Sequence, residues 1–313
     1  MTSSDHKKSG LPEPMLVALL ALAACVLFAC LSATVKHLST EMHGFVIVFW
    51  RNFFGFVFMV PWLWRHGFGR LRTDRLGAYV FRSSISVISM MCGFTALAYL
   101  PIASATSLSF TAPLFATILA VLILKEKVRL RRWSATLLGF AGVMIVLQPG
   151  ATGGIGLGET LAVIGAALTA TGTVIVKTLS RSESSQAIVT YMVLLSTPLA
   201  LVPALFYWSW PALDAWPYVV ALGFFGTMGH LCWTRAFAIA DASAVVPYDY
   251  SRLIFTTGIG MAWFGEQPDH WFWVGSAVII AAGLYIAQRE AFLRRSKTTE
   301  AVATQAAKSK DEL

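Results

Sequence analysis

Ten stretches of roughly 20 mainly apolar residues divide this chain, and no other feature constrains its fold as tightly. They run over 15–35, 45–64, 76–98, 102–124, 133–148, 157–177, 187–208, 216–238, 243–264 and 271–288. A helix rising about 1.5 Å per residue needs ~20 such residues to cross the hydrocarbon of a bilayer. Inside that layer each backbone N–H and C=O must be paired within its own segment, which an α-helix achieves and an open sheet edge does not. The spacing therefore predicts an all-α integral membrane protein of ten transmembrane helices. The composition excludes the soluble alternative: 57% of the residues are hydrophobic and 13% charged, where a soluble domain carries about 25% charged residues.

The net charge of +8 is not laid out as a nucleic-acid surface. It falls in short clusters between apolar runs: Arg65 to Arg75 after the second, Lys125 to Arg132 after the fourth, Lys177 and Arg181 after the sixth, and Arg289 to Lys297 after the tenth. The alternate loops hold Lys36 and otherwise no lysine or arginine. Basic loops stay on the cytoplasmic side, so both termini, 1–14 and 290–313, are expected there, in a cell inner membrane. The terminal Lys310-Asp311-Glu312-Leu313 reads as a retrieval signal only from a lumenal tail, which this orientation denies. Cys25, Cys30, Cys92 and Cys232 all lie within apolar runs, so a disulfide framework is not expected.

The two halves, 15–149 and 156–289, repeat. Cys92 answers Cys232, Glu126 answers Glu266 and Trp133 answers Trp273, each 140 positions on, while Ala103-Ser104-Ala105 answers Ala242-Ser243-Ala244 at 139. Five spans per repeat turn the second copy upside down. Inverted repeats are a transporter architecture, with substrate bound near the midplane between the halves.

The stretch Pro101-Ile102-Ala103-Ser104-Ala105, then Pro113-Leu114, Lys125-Glu126-Lys127, Gly139 and Gly142, resembles the EamA-type repeat of the drug/metabolite transporter superfamily. A second copy runs through Ala242-Ser243-Ala244, Pro247, Gly265-Glu266 and Gly283. The resemblance implies ten helices, a central cavity and alternating access. It also implies a small-molecule substrate: an amino acid, including an aromatic one, moved outward as the first expectation, with riboflavin or S-adenosylmethionine as the alternative. The second copy departs from the first in its polar run Tyr248-Asp249-Tyr250-Ser251-Arg252, which points to a specialised half-site.

Ionisable side chains within a span cost about 2.5–3.5 kcal/mol on insertion scales, so each is a functional candidate. Arg51, Arg82, Arg235, Asp249 and Arg252 stand out, and Asp249 is the lone carboxylate well inside a span. An arginine can bind a substrate carboxylate or phosphate while Asp249 holds that arginine or meets an amine. A structural ion pair is the alternative. His230 is a candidate proton site or a packing residue. Trp50, Tyr79, Tyr99, Trp233, Tyr248 and Tyr250 lie near these polar groups and are candidate stacking rings for a cavity. Pro113 and Pro247 each free a backbone carbonyl inside a span, which marks candidate hinges.

An enzyme would need a metal-ligand pair or a nucleophile with its base, and the sequence holds no HExxH, DxxD or GxSxG. No P-loop is present either. No cofactor, metal, nucleic acid or obligate protein partner is expected, only substrate and membrane lipid around what can be a monomer. The orientation has a direct check. Cysteines placed at Gly154 and Asp269 should react with an impermeant thiol reagent from outside intact cells, and one at Thr73 should not; the reverse pattern would invert the topology.

Overall fold

The computed structural model describes residues 13–66, 76–122, 130–148, 155–179, 185–240, 245 and 248–285. Among these residues all regular structure is helical. The helices are α1 (Glu13–Leu38), α2 (Gly44–His66), α3 (Leu76–Tyr99), α4 (Ile102–Ser109), α5 (Ala112–Leu122), α6 (Leu130–Leu147), α7 (Leu157–Leu179), α8 (Ser185–Leu205), α9 (Trp216–Ile239) and α10 (Ser251–Phe264). The last, α11, covers His270–Tyr285. Met15–Leu38, Gly44–Pro61, Leu76–Tyr99 and Ile102–Leu119 are each long and apolar enough to cross a membrane, and Trp133–Leu147, Leu157–Gly172, Thr190–Leu205 and His270–Tyr285 are shorter apolar helices. A helix thus stands in every one of the ten expected spans.

One span departs from expectation. The fourth is two helices, α4 and α5, because the chain unwinds at Phe110-Thr111. Pro113 has no N–H, so the Ser109 carbonyl loses its donor four residues on. The chain adapts by tightening: Phe110 donates to the Ser107 carbonyl (3.1 Å) and Thr111 to that of Leu108 (3.1 Å). The Thr111 carbonyl then accepts from Leu114 (2.9 Å) and Phe115 (3.2 Å) and starts the new helix. In the ninth span α10 begins at Ser251, with Tyr250 as its cap and the Tyr250 carbonyl accepting from Leu253 at 3.1 Å. Ser251 lies 139 positions after Ala112, the separation of the two Ala-Ser-Ala stretches of the repeats. Both copies therefore restart a helix at the same place. Pro247 lies outside the described residues.

The halves pack through each other rather than side by side. Helices α1 and α2 lie against α9, α2 also against α8, and α3 against α7. One apolar core joins Val35, Val46 and Phe49 to Ala200, Val219 and Leu222. The other joins Leu108, Phe110 and Val143 to Ala162, Tyr250, Leu253 and Ile279. Lipid tails are as apolar as leucine, so close van der Waals fit is what holds such helices together. Small residues supply the fit. A Cβ on Gly275 of α11 would lie 2.8 Å from the Gly142 carbonyl oxygen of α6 and 2.9 Å from the Val146 nitrogen. Along α9, Gly223, Gly226 and Gly229 leave room for Phe54, Arg51 and Phe28 respectively. The last three are large side chains of α1 and α2, so this glycine row carries the contact between the halves.

Candidate functional site

The two helix restarts meet. The Phe110 and Tyr250 rings stand edge to face with centroids 5.0 Å apart at 66°. Arg252, in the first turn of α10, reaches across: its Nη2 donates to Ser109 Oγ at 3.2 Å and its guanidinium lies over the Phe110 ring at 5.2 Å. Its Nε stands 3.8 Å from Asp249 Oδ1, an ion contact beyond hydrogen-bond range. Both charged side chains keep some access, 23% for Arg252 and 32% for Asp249. The Tyr250 hydroxyl points at Gly283, where a Cβ would collide with it, and has no hydrogen-bond partner. From α1, the Cys25 thiol donates to the Tyr248 carbonyl at 3.2 Å. Two half-turns of unwound backbone, two rings, a guanidinium and a carboxylate thus converge where the repeats face each other. Such broken helices are where carriers of this architecture expose backbone to a bound ligand.

His230 on α9 stands beside this centre. Its ring meets Phe28 of α1 at 5.1 Å and 71°, and the charges acting on it are those of Arg51, Arg82 and Arg252. Arg82 of α3 reaches α8, where its Nη2 lies 3.5 Å from Met192 Sδ. One turn earlier Tyr79 is fully buried and stacks on Tyr191 at 4.5 Å and 25°. Arg51 of α2 is 3% exposed, and its Nη1 donates to Asn52 Oδ1 at 3.1 Å.

Other expected site residues stand apart. Trp50 is buried in a cluster of rings with Phe53, Phe54, Trp208 and Trp216. Tyr99 is 62% exposed in the last turn of α3. Trp233 and Tyr248 pack around Val17, Ala21 and Ala236, near the start of α1 and the end of α9. Arg235 is exposed on α9. Pro113 is the second residue of α5, and its carbonyl accepts from Thr117 Oγ1 at 3.1 Å.

The EamA-like transporter family model matches residues 15–148 and again 156–288, nearly the whole chain. The chain belongs to this family. A riboflavin transporter of Vibrio cholerae is 34% identical over 283 residues, covering 89% of this chain and 95% of that protein. An S-adenosylmethionine uptake transporter of Rickettsia bellii is 31% identical over 256 residues, covering 82% and 87%. A protein of known crystal structure shares the fold at a TM-score of 0.61 and 19% identity, over 87% of this chain and 95% of its own. This EamA protein is a membrane transporter, not an enzyme.

At one end of the transporter, where α1 stops and α2 starts, an ion pair ties the halves together that the sequence did not reveal. Lys36 Nζ is 2.8 Å from Glu266 Oε1 and donates to the Leu100 carbonyl at 2.7 Å. Both Glu266 oxygens accept from the Ile102 N–H, at 3.0 and 2.9 Å. Ile102 opens α4 after Pro101, so the carboxylate sits where unpaired N–H groups and the helix dipole favour an anion. The Glu266 side chain is 9% exposed. One carboxylate thus fixes the end of α1, the α3–α4 turn and the α10–α11 turn. The signals in the sequence were slight: Glu266 as a repeat mate of Glu126, and Lys36 as the lone lysine of its face. Glu266→Gln keeps the shape and removes the charge. Thermal unfolding in detergent should show it destabilised by roughly 1–3 kcal/mol, and an unchanged midpoint would mean the contact contributes nothing.

Proposed function

We propose that this transporter takes up a flat, polar heteroaromatic metabolite of the riboflavin type by alternating access, binding it at the crossing of the two helix restarts. The balance of charge at the centre carries the reading. Arg252 stands at the restarts and Arg82 reaches Met192 on α8, against Asp249 as the one carboxylate well inside a span. A guanidinium is a fork of donors suited to carbonyl oxygens, and the edge of an isoalloxazine presents such oxygens. S-adenosylmethionine carries a fixed sulfonium and an ammonium against one carboxylate, so an arginine-rich centre repels it. The similar relatives favour riboflavin or S-adenosylmethionine over the amino acid that the sequence put first, and the charge balance separates these two.

With both termini in the cytoplasm of a bacterial-type cell, the Lys36–Glu266 pair lies at the outer face. Asp249 belongs to the moving part. An unpaired carboxylate in such a site would be neutralised, so its contact with Arg252 is retained in one state and exchanged in another. The two states then differ in free energy by what that contact contributes.

Proteoliposomes holding the purified protein should accumulate labelled riboflavin saturably and leave S-adenosylmethionine and phenylalanine near background. Arg252→Gln and Asp249→Asn should each lower riboflavin uptake about tenfold or more, the loss of one charge-assisted contact, while Arg235→Gln retains it. Uptake of S-adenosylmethionine or phenylalanine without riboflavin would refute the assignment.

A further inference from the structure

A separate small cavity lies among α2, α8 and α9, and it holds the structure's most deeply buried arginine. Its walls include Arg51, Met59, Met192, Thr227, His230 and Leu231. Arg51 is 3% exposed. Its Nη1 is used by Asn52, but its Nε has no hydrogen-bond partner. The side chain lies close against α9, in the space that the missing side chain of Gly226 leaves. A Cβ there would lie 2.8 Å from Nε and 3.1 Å from Nη2. Among the described residues no carboxylate lines this cavity, and Asp249 lies against Arg252.

A guanidinium stays protonated in a protein, and a buried charge needs a counter-charge to be tolerated there. His230 cannot supply it, being neutral or cationic, and Arg82 adds a second positive charge, reaching the same wall through its contact with Met192. The cavity measures about 10 Å³, near the room of one water-sized body. That is far too small for a ring system, and a monatomic halide, larger than a water, enters only as the flexible Met59 and Met192 side chains of its wall give way. We propose that this cavity binds a small monovalent inorganic anion, of which chloride is the probe, held by Arg51 with the Thr227 hydroxyl as a second donor. The anion compensates the charge that locks α2 onto α9. His230 lines this cavity and stands beside the proposed substrate centre, so the two adjoin; the anion site rests on Arg51 and Thr227, and the substrate reading on Arg252 and Asp249.

The test needs no substrate. Thermal unfolding of the full chain in detergent is followed at matched ionic strength in sodium chloride, bromide, phosphate or gluconate. Chloride and bromide should raise the midpoint saturably, by roughly 2 °C or more, and phosphate and gluconate should not. Arg51→Gln should erase the difference between chloride and gluconate. Should that variant not fold, Thr227→Val should shift the chloride dependence to higher concentration. Equal midpoints for the wild type in chloride and gluconate would show a cavity that holds water only, and a full chloride response in Arg51→Gln or Thr227→Val would place any bound ion elsewhere. Either outcome overturns the proposal.

Discussion

A backbone carbonyl without a donor cannot face hydrocarbon, and the centre of this protein is organised by that constraint. Pro113 removes the donor for Ser109, which would be costly at any lipid-facing position. It is tolerated because the unwound segment is turned inward against the matching restart of the other repeat. There, tight turns satisfy the Phe110 and Thr111 N–H groups, and Arg252 reaches the Ser109 hydroxyl rather than its carbonyl. The break is thus stable only where the repeats meet, and where they meet is where a carrier needs exposed polar groups. One proline and one repeat relation fix the position of the two helix restarts.

Charge follows from the same geometry. A guanidinium placed on a lipid-facing side would have to snorkel, whereas Arg51, Arg82 and Arg252 turn into the bundle, to Asn52, Met192 and Ser109 respectively. Gly226 shows how the packing was adjusted to permit this. Its absent side chain lets the Arg51 guanidinium lie flat against α9, so a residue that is costly in a membrane becomes part of a helix contact. At the Lys36–Glu266 end the logic differs. Lys36 and Glu266 pair at the boundary, and a helix N-terminus takes up the second carboxylate oxygen.

Most of the architecture was legible in the sequence, because apolar length and loop charge act locally. The ten spans, the repeat and the candidate break at Pro113 all depend on residues within one segment or on a fixed separation. The site was legible only in part. Arg252, Asp249 and Tyr250 were marked by their polarity inside a span, and the structure brings them to Phe110 and Ser109. Trp50 and Tyr99 share the same aromatic chemistry, yet Trp50 packs among rings and Tyr99 lies exposed. Nothing in a single segment distinguishes a ring that faces the centre from one that does not. The Lys36–Glu266 pair was hidden for a related reason: its partners lie 230 positions apart, since 266 minus 36 is 230, and only the packed fold joins them.

The central claim is that the crossing of the two restarts is where the transported molecule sits, and protection of Ser109 tests it most directly. In protein whose native cysteines are replaced, Ser109→Cys would be exposed to a small thiol reagent with and without riboflavin. Riboflavin should slow its modification several-fold, with half-protection near the concentration that half-saturates uptake. If riboflavin is transported and yet the thiol at this position reacts at the same rate in its presence, the molecule travels by another route and the account fails.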